Sequence, residues 1–249
     1  MVNMTQDNAP VTPTRTQPRR VVTPTGTQPP FPRRQVSPWM KSLCDVAHDY
    51  GEVVLYVEGH HVSERPRLWQ QAVLQTITMN RYDVMRLVLR DASLESASFR
   101  REALIECVKN GRCSHMMAVM AAVRLLPAEH AFTPEDLGEA LLGAVKYGGE
   151  DLIANLMSAG AKATYYSPRD ADAEEPPYTC ISAAIAHGRM NVLRLLFVWD
   201  HDAKANQRVL FEAYNECILR GDREDMAVHI ARLIAAPLNG MMQNMSVTN

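Results

Sequence analysis

The chain has 249 residues, 47% of them hydrophobic, and a formal net charge of −2. That is enough for one or two domains with a sizeable core, and the near-neutral charge gives no electrostatic reason to expect nucleic acid as a partner. No run reaches the roughly 18–20 apolar residues of a membrane helix, so membrane insertion is not expected.

Residues 1–38 read as a disordered leader. They hold eight prolines and no apolar periodicity, so they cannot bury enough surface to offset chain entropy. The N-terminus lacks the apolar segment of a secretory signal peptide. Residues 1–40 carry five arginines against one acid, Asp7, which leaves the tail at about +4 and the remainder at about −6. Val11–Pro18 recurs as Val22–Pro29, eleven residues on. Pro29, Pro32 and Arg34 fit Pro-x-x-Pro-x-Arg, as do Pro10, Pro13 and Arg15; such spacing suits a polyproline II ligand.

Residues 39–66 read as a degenerate N-terminal cap and 67–236 as helical repeats. A turn residue recurs at Gly51, Asn80, Gly111, Gly148, Gly188 and Gly221, with spacings of 29, 31, 37, 40 and 33 residues. A left-handed residue is expected at each, ending a first helix. Four residues earlier stands a small residue: Ala47, Thr76, Cys107, Ala144, Ala184 or Cys217. Seven earlier stands Cys44, Val73, Leu104, Leu141, Ile181 or Tyr214. Apolar pairs follow the turn at Val84/Met85, Leu152/Ile153 and Val192/Leu193, then at Val88/Leu89, Val119/Met120, Leu156/Met157 and Leu196/Phe197. This is the spacing of paired amphipathic helices in which the small residue permits close approach. The unit at Gly221 fits worst, with Asp225 and His229 in apolar positions.

Two connections are long. Residues 127–137 extend one linker, and 164–178 extend a second that carries Tyr165, Tyr166, Arg169, Asp170 and Tyr178. Tyrosine is favoured at interfaces, so this second insertion is the leading candidate for partner contact. Trp199 and His201 form a further candidate, although local packing is the plainer reading of Trp199. After Pro237 a flexible C-terminus over 237–249 is expected, including Met241, Met242 and Met245.

Thr179-Cys180-Ile181-Ser182-Ala183-Ala184 resembles the Thr-Pro-Leu-His-x-Ala opening of ankyrin repeats, with Ser182 in the His place. Ala159–Ala163 and Asp202–Asn206 resemble the family's Gly-Ala-Asp-Val ending, with Asp202 replacing the glycine of the second. The resemblance covers about residues 68–236. It implies an all-α solenoid of about five units plus the cap, with the fingers and first helices forming a protein-binding face.

Catalytic readings are weaker. Cys44 with His48 or His130 and Asp49 or Asp151 has the residue types of a cysteine nucleophile, but no surrounding signature. His60 and His61 with Glu58 are adjacent and would point apart on a strand. The five cysteines, Cys44, Cys107, Cys113, Cys180 and Cys217, are odd in number and without a Cys-x-x-Cys pair, so reduced thiols in a cytosol-like compartment are expected. No phosphate-binding glycine loop is present, and no cofactor or metal is expected.

The functional expectation is therefore a monomeric, non-catalytic scaffold that binds another protein. An ankyrin-like body behind a Thr/Pro/Gln-rich leader is similar to bacterial type III secreted effectors. That similarity implies a host protein as partner, the host cytoplasm as destination and a secretion chaperone on the tail. The alternatives are a cysteine-dependent effector enzyme and a cytosolic eukaryotic or viral adaptor.

Overall fold

The computed structural model describes residues 42–167 and 179–246, with only the backbone described from 237 onward. The chain divides into two units, 1–35 and 36–249, and all described residues belong to the second. The Pro29, Pro32 and Arg34 motif lies outside them, as does nearly all of the leader.

Among the described residues the fold is all-α, and its logic is pairing. After a short 3-10 turn at Leu43–Asp45 come α1 (Tyr50–Glu58), α2 (Arg65–Thr78), α3 (Tyr82–Asp91), α4 (Ala97–Lys109) and α5 (Cys113–Arg124). A second 3-10 turn, Ala128–His130, precedes α6 (Pro134–Tyr147), α7 (Glu150–Ser158), α8 (Cys180–Ala186) and α9 (Met190–Trp199). The chain closes with α10 (His201–Ala205), α11 (Gln207–Arg220) and α12 (Glu224–Ser246). Consecutive helices pack as pairs: α2 with α3, α4 with α5, α6 with α7, α8 with α9 and α11 with α12. The first helices α2, α4, α6, α8 and α11 pack in succession, as do the second helices α3, α5, α7 and α9. The result is two helical layers around one continuous core.

The repeat spacing explains that core. Every small residue four before a turn is buried, from Ala47 to Cys217. The apolar pairs after the turns are buried as well, from Val84/Met85 to Leu196/Phe197. Asn80, Gly111, Gly188 and Gly221 have φ of 58°, 64°, 63° and 71°, the left-handed conformation expected at helix ends. At three of them the next residue's N–H closes the motif on the small residue's carbonyl: Arg81 to Thr76, Arg112 to Cys107 and Arg189 to Ala184, each within 2.9 Å.

Departures have local causes. Gly148 is extended (φ −85°, ψ 173°), because Gly149 follows it and two extended glycines replace the single left-handed turn. Glycine is still required there: a Cβ would lie 2.9 Å from the Ala144 carbonyl oxygen. Gly51 is not a turn residue but the second residue of α1, behind the Asp49 N-cap. The first unit has shed its first helix to a 3-10 turn, so Cys44 is exposed rather than core-facing. At Gly221 one extra residue precedes the helix, which moves burial from Asp225 and His229 to Met226, Ala227 and Ile230. Residues 134–137 belong to α6 rather than to a linker, because Thr133 and Asp136 form a capping box. Asp202 is helical within α10, so no glycine-like ending forms there. The backbone of α12 stays helical through Pro237 to Ser246, where a flexible end was expected.

Arginines after the turns tie unit to unit. Arg189 donates to the Ala144, Val145 and Gly148 carbonyls at the end of α6, at 3.2, 2.6 and 2.7 Å. Arg223 donates to the Ile185 and Ala186 carbonyls at the end of α8, at 2.9 and 3.2 Å. Each guanidinium thus adds donors at helix-terminal carbonyls, of which Ala144 and Ile185 also accept the Gly148 and Gly188 N–H groups.

Candidate partner-binding surface

The second insertion leaves α7 through Gly160, whose φ of 103° turns the chain away from the helix. Ala161 and Ala163 are buried behind it. The Ala163 N–H donates to Asp200 Oδ2 at 2.9 Å, and Asp200 Oδ1 accepts from the Ala203 N–H at 2.9 Å. Asp200 is only 4% exposed, so one buried carboxylate joins this finger to the α9–α10 turn. Both of its oxygens are satisfied, as a buried charge requires.

Tyr165 lies over Gly138 in α6: a Cβ at Gly138 would fall 2.2 Å from the ring. Tyr165 is therefore half-buried intramolecular packing, and its contribution is to anchor the finger. Burial, then the nearby Glu139 carboxylate, pushes its hydroxyl pKa up. Tyr166 differs. It is 55% exposed and pairs with Thr179 in an isolated antiparallel bridge, so the two ends of the insertion are held together. Thr179 then caps α8 by accepting the Ser182 N–H at 3.1 Å, which accounts for the threonine at this opening position. Arg169, Asp170 and Tyr178 lie outside the described residues.

Tyr166 and Thr179 border a cleft of about 470 Å3 between α8 and α11. Ile181, Val209 and Ala213 supply its apolar lining, and Arg208, Glu212 and Glu216 its charge. Arg208 donates to Glu212 at 2.8 Å, and Ser182 donates to Glu216 at 2.5 Å across the two helices. Trp199 and His201 are both exposed, Trp199 at 45%, and neither borders this cleft. The α11 residues of the cleft were not singled out from the sequence, although Arg208/Glu212 and Glu216/Arg220 at i, i+4 mark an exposed polar face.

The other candidates are engaged locally. Cys44 Sγ is 3.2 Å from Gln75 Oε1, His48 is 3.9 Å from Glu52, and Asp49 accepts the Glu52 N–H that opens α1. His60 Nδ1 contacts the Tyr56 carbonyl at 2.7 Å, and His61 Nδ1 contacts Ser63 Oγ at 2.8 Å. Burial pushes Cys107 and Cys180 up to about 12 and Cys217 up to about 11, which leaves them as thiols suited to packing. Among the described residues no group of three or more His, Cys, Asp or Glu is placed to hold a metal ion, and no helix is long and apolar enough to cross a membrane. No family model matches the chain, and neither curated proteins nor solved structures give a match.

Proposed function

We propose that this chain is a non-catalytic protein-interaction scaffold of the ankyrin type. Its partner is a protein segment seated between the finger and the first-helix layer. The observation that carries the reading is the division of labour between adjacent tyrosines: Tyr165 locks the finger onto Gly138, and Tyr166 is left exposed beside an apolar cleft with charged edges. A rigid aromatic next to a preformed cleft binds with little ordering cost. Thr179, Gly188 and the recurring small residues support the ankyrin assignment of the helix pairs. The basic Thr/Pro/Gln-rich leader supports delivery into a host cell as a bacterial effector, with a host protein as partner.

Affinity capture from a eukaryotic cell lysate tests the binding role. Wild type is compared with Tyr166→Ala, with Glu212→Lys and with a variant whose residues 167–178 are a short Gly/Ser linker. A captured protein lost from the first two variants, at unchanged thermal stability, is the expected result. An identical captured set from all four proteins sinks the proposal. Delivery is tested separately by fusing residues 1–38 to a reporter in a type III-competent bacterium and measuring its entry into host cells.

A further inference from the structure

A second groove lies away from the finger. It runs between α9 and α12, holds about 680 Å3, and is lined by Arg194 from α9 and by His229 and Arg232 from α12. His229 and Arg232 are three residues apart and share one helix face. Arg194, Arg232 and Lys204, the last on α10, have neither a hydrogen-bond nor an ion-pair partner among the described residues. Unpartnered arginines from two helices, Arg194 and Arg232, thus line the groove together with a half-buried imidazole.

The groove also contains acids, and their positions matter. Asp222 is paired with Arg223 at 2.5 Å, and that arginine is itself committed to the α8 carbonyls. Glu224 and Asp225 stand in the first turn of α12, where they favour the helix N-terminus. Asp225 is one turn before His229, yet no ion pair joins them. Burial first, and then Arg194, Arg232 and Lys204, disfavour the proton on His229. Arg194 and Arg232 form no ion pair with these carboxylates, and an anion seated between the two guanidinia would be attracted by both. One carboxylate needs only one guanidinium fork. Two guanidinia and an imidazole match a tetrahedral dianion with several acceptor oxygens.

We propose that the α9–α12 groove is a binding site for a phosphate monoester group, held by Arg194, Arg232 and His229. The site is independent of the finger cleft and of the reading built on that cleft.

The test follows the His229 ring protons by NMR in the full chain as pH is varied at constant ionic strength. The probes are inorganic phosphate, a phosphoserine peptide with uncharged flanks, and the same peptide with serine or glutamate in its place. Either phosphate probe is expected to raise the His229 pKa by about one unit. Arg194→Gln and Arg232→Gln, each at an exposed side chain, are expected to remove that rise singly. Binding of the phosphopeptide at least tenfold tighter than inorganic phosphate assigns the group to a phosphorylated partner; equal binding assigns it to free phosphate. No rise with either phosphate probe, or an equal rise with the glutamate peptide, overturns the proposal.

Discussion

The pair α8–α9 and the region around α1 show what a unit looks like with and without neighbours on both sides. In α8–α9 every device is present: the Thr179 cap, the buried Ala184, the left-handed Gly188, and Arg189 reaching back to α6. Around α1 the small residue survives as buried Ala47, but the first helix is a 3-10 turn and Cys44 faces solvent. A terminal unit has one face to bury, so fewer of its positions are constrained. The repeat grammar is thus a record of contacts on two sides rather than of the helix pair itself.

The sharpest way to break that comparison is Ala184→Leu. The added carbons enter the closest approach of α8 and α9, and overpacking there is expected to cost about 3 kcal/mol in urea unfolding. Cys44→Ala, in the incomplete unit, should stay within about 0.5 kcal/mol of wild type. Arg189→Ala takes a donor from the Val145 and Gly148 carbonyls at the end of α6 and should cost about 2 kcal/mol. Arg81, which follows its turn in the same way but pairs only with exposed Asp83, should lose far less stability as alanine than Arg189 does. Gly138→Ala should expel the Tyr165 ring and cost about 1–2 kcal/mol, with Tyr165→Ala in the same chain relieving the clash.

His115 provides a pH-dependent comparison. It occupies the place of Val84, Leu152 and Val192, is 2% exposed, and has a buried Nε2 without a hydrogen-bond partner. Burial, then Arg112, holds its pKa below the ordinary 6.5. The folded state therefore favours the neutral ring. The associated stability is whole above that ordinary value and falls as pH drops toward the folded one. The urea midpoint of wild type should decrease between about pH 7 and pH 5, and His115→Leu should remove part of the slope; His229, shifted the same way, retains the rest. A small gain is expected from Asn80→Gly, where relief of a left-handed asparagine should add less than about 1 kcal/mol.

These positions also mark how far the sequence could be read. Turn residues, small residues and apolar pairs were legible because each repeats in several units under the same packing demand. Gly148 was legible as a glycine but not in its conformation, which depends on the neighbouring Gly149. The Gly221 unit was misregistered by a single inserted residue, enough to rotate α12 onto a different face. In the finger, the sequence offered tyrosines without distinguishing anchor from exposed ring. The distinguishing signal was Gly138, a glycine inside a helix, but its meaning depends on a ring brought from 27 residues away. The α9–α12 groove left no motif, since Arg194 and Arg232 come from separate helices 38 residues apart in the chain.

The arginine ties have a consequence for partial unfolding. They lock α6 to the α8–α9 pair and α8 to α12. The position that would lock α4 to the α6–α7 pair is Gly149, which has no side chain to reach across. That seam relies on apolar packing, on an exposed Arg101 paired with Glu139 and Asp136, and on the Asn155–Cys113 contact, all weak beside a guanidinium seated on helix-terminal carbonyls. The molecule should therefore open as two cooperative foldons divided near residues 125–133, and native-state amide exchange in α2–α5 should decouple from that in α6–α12 before either half unfolds completely.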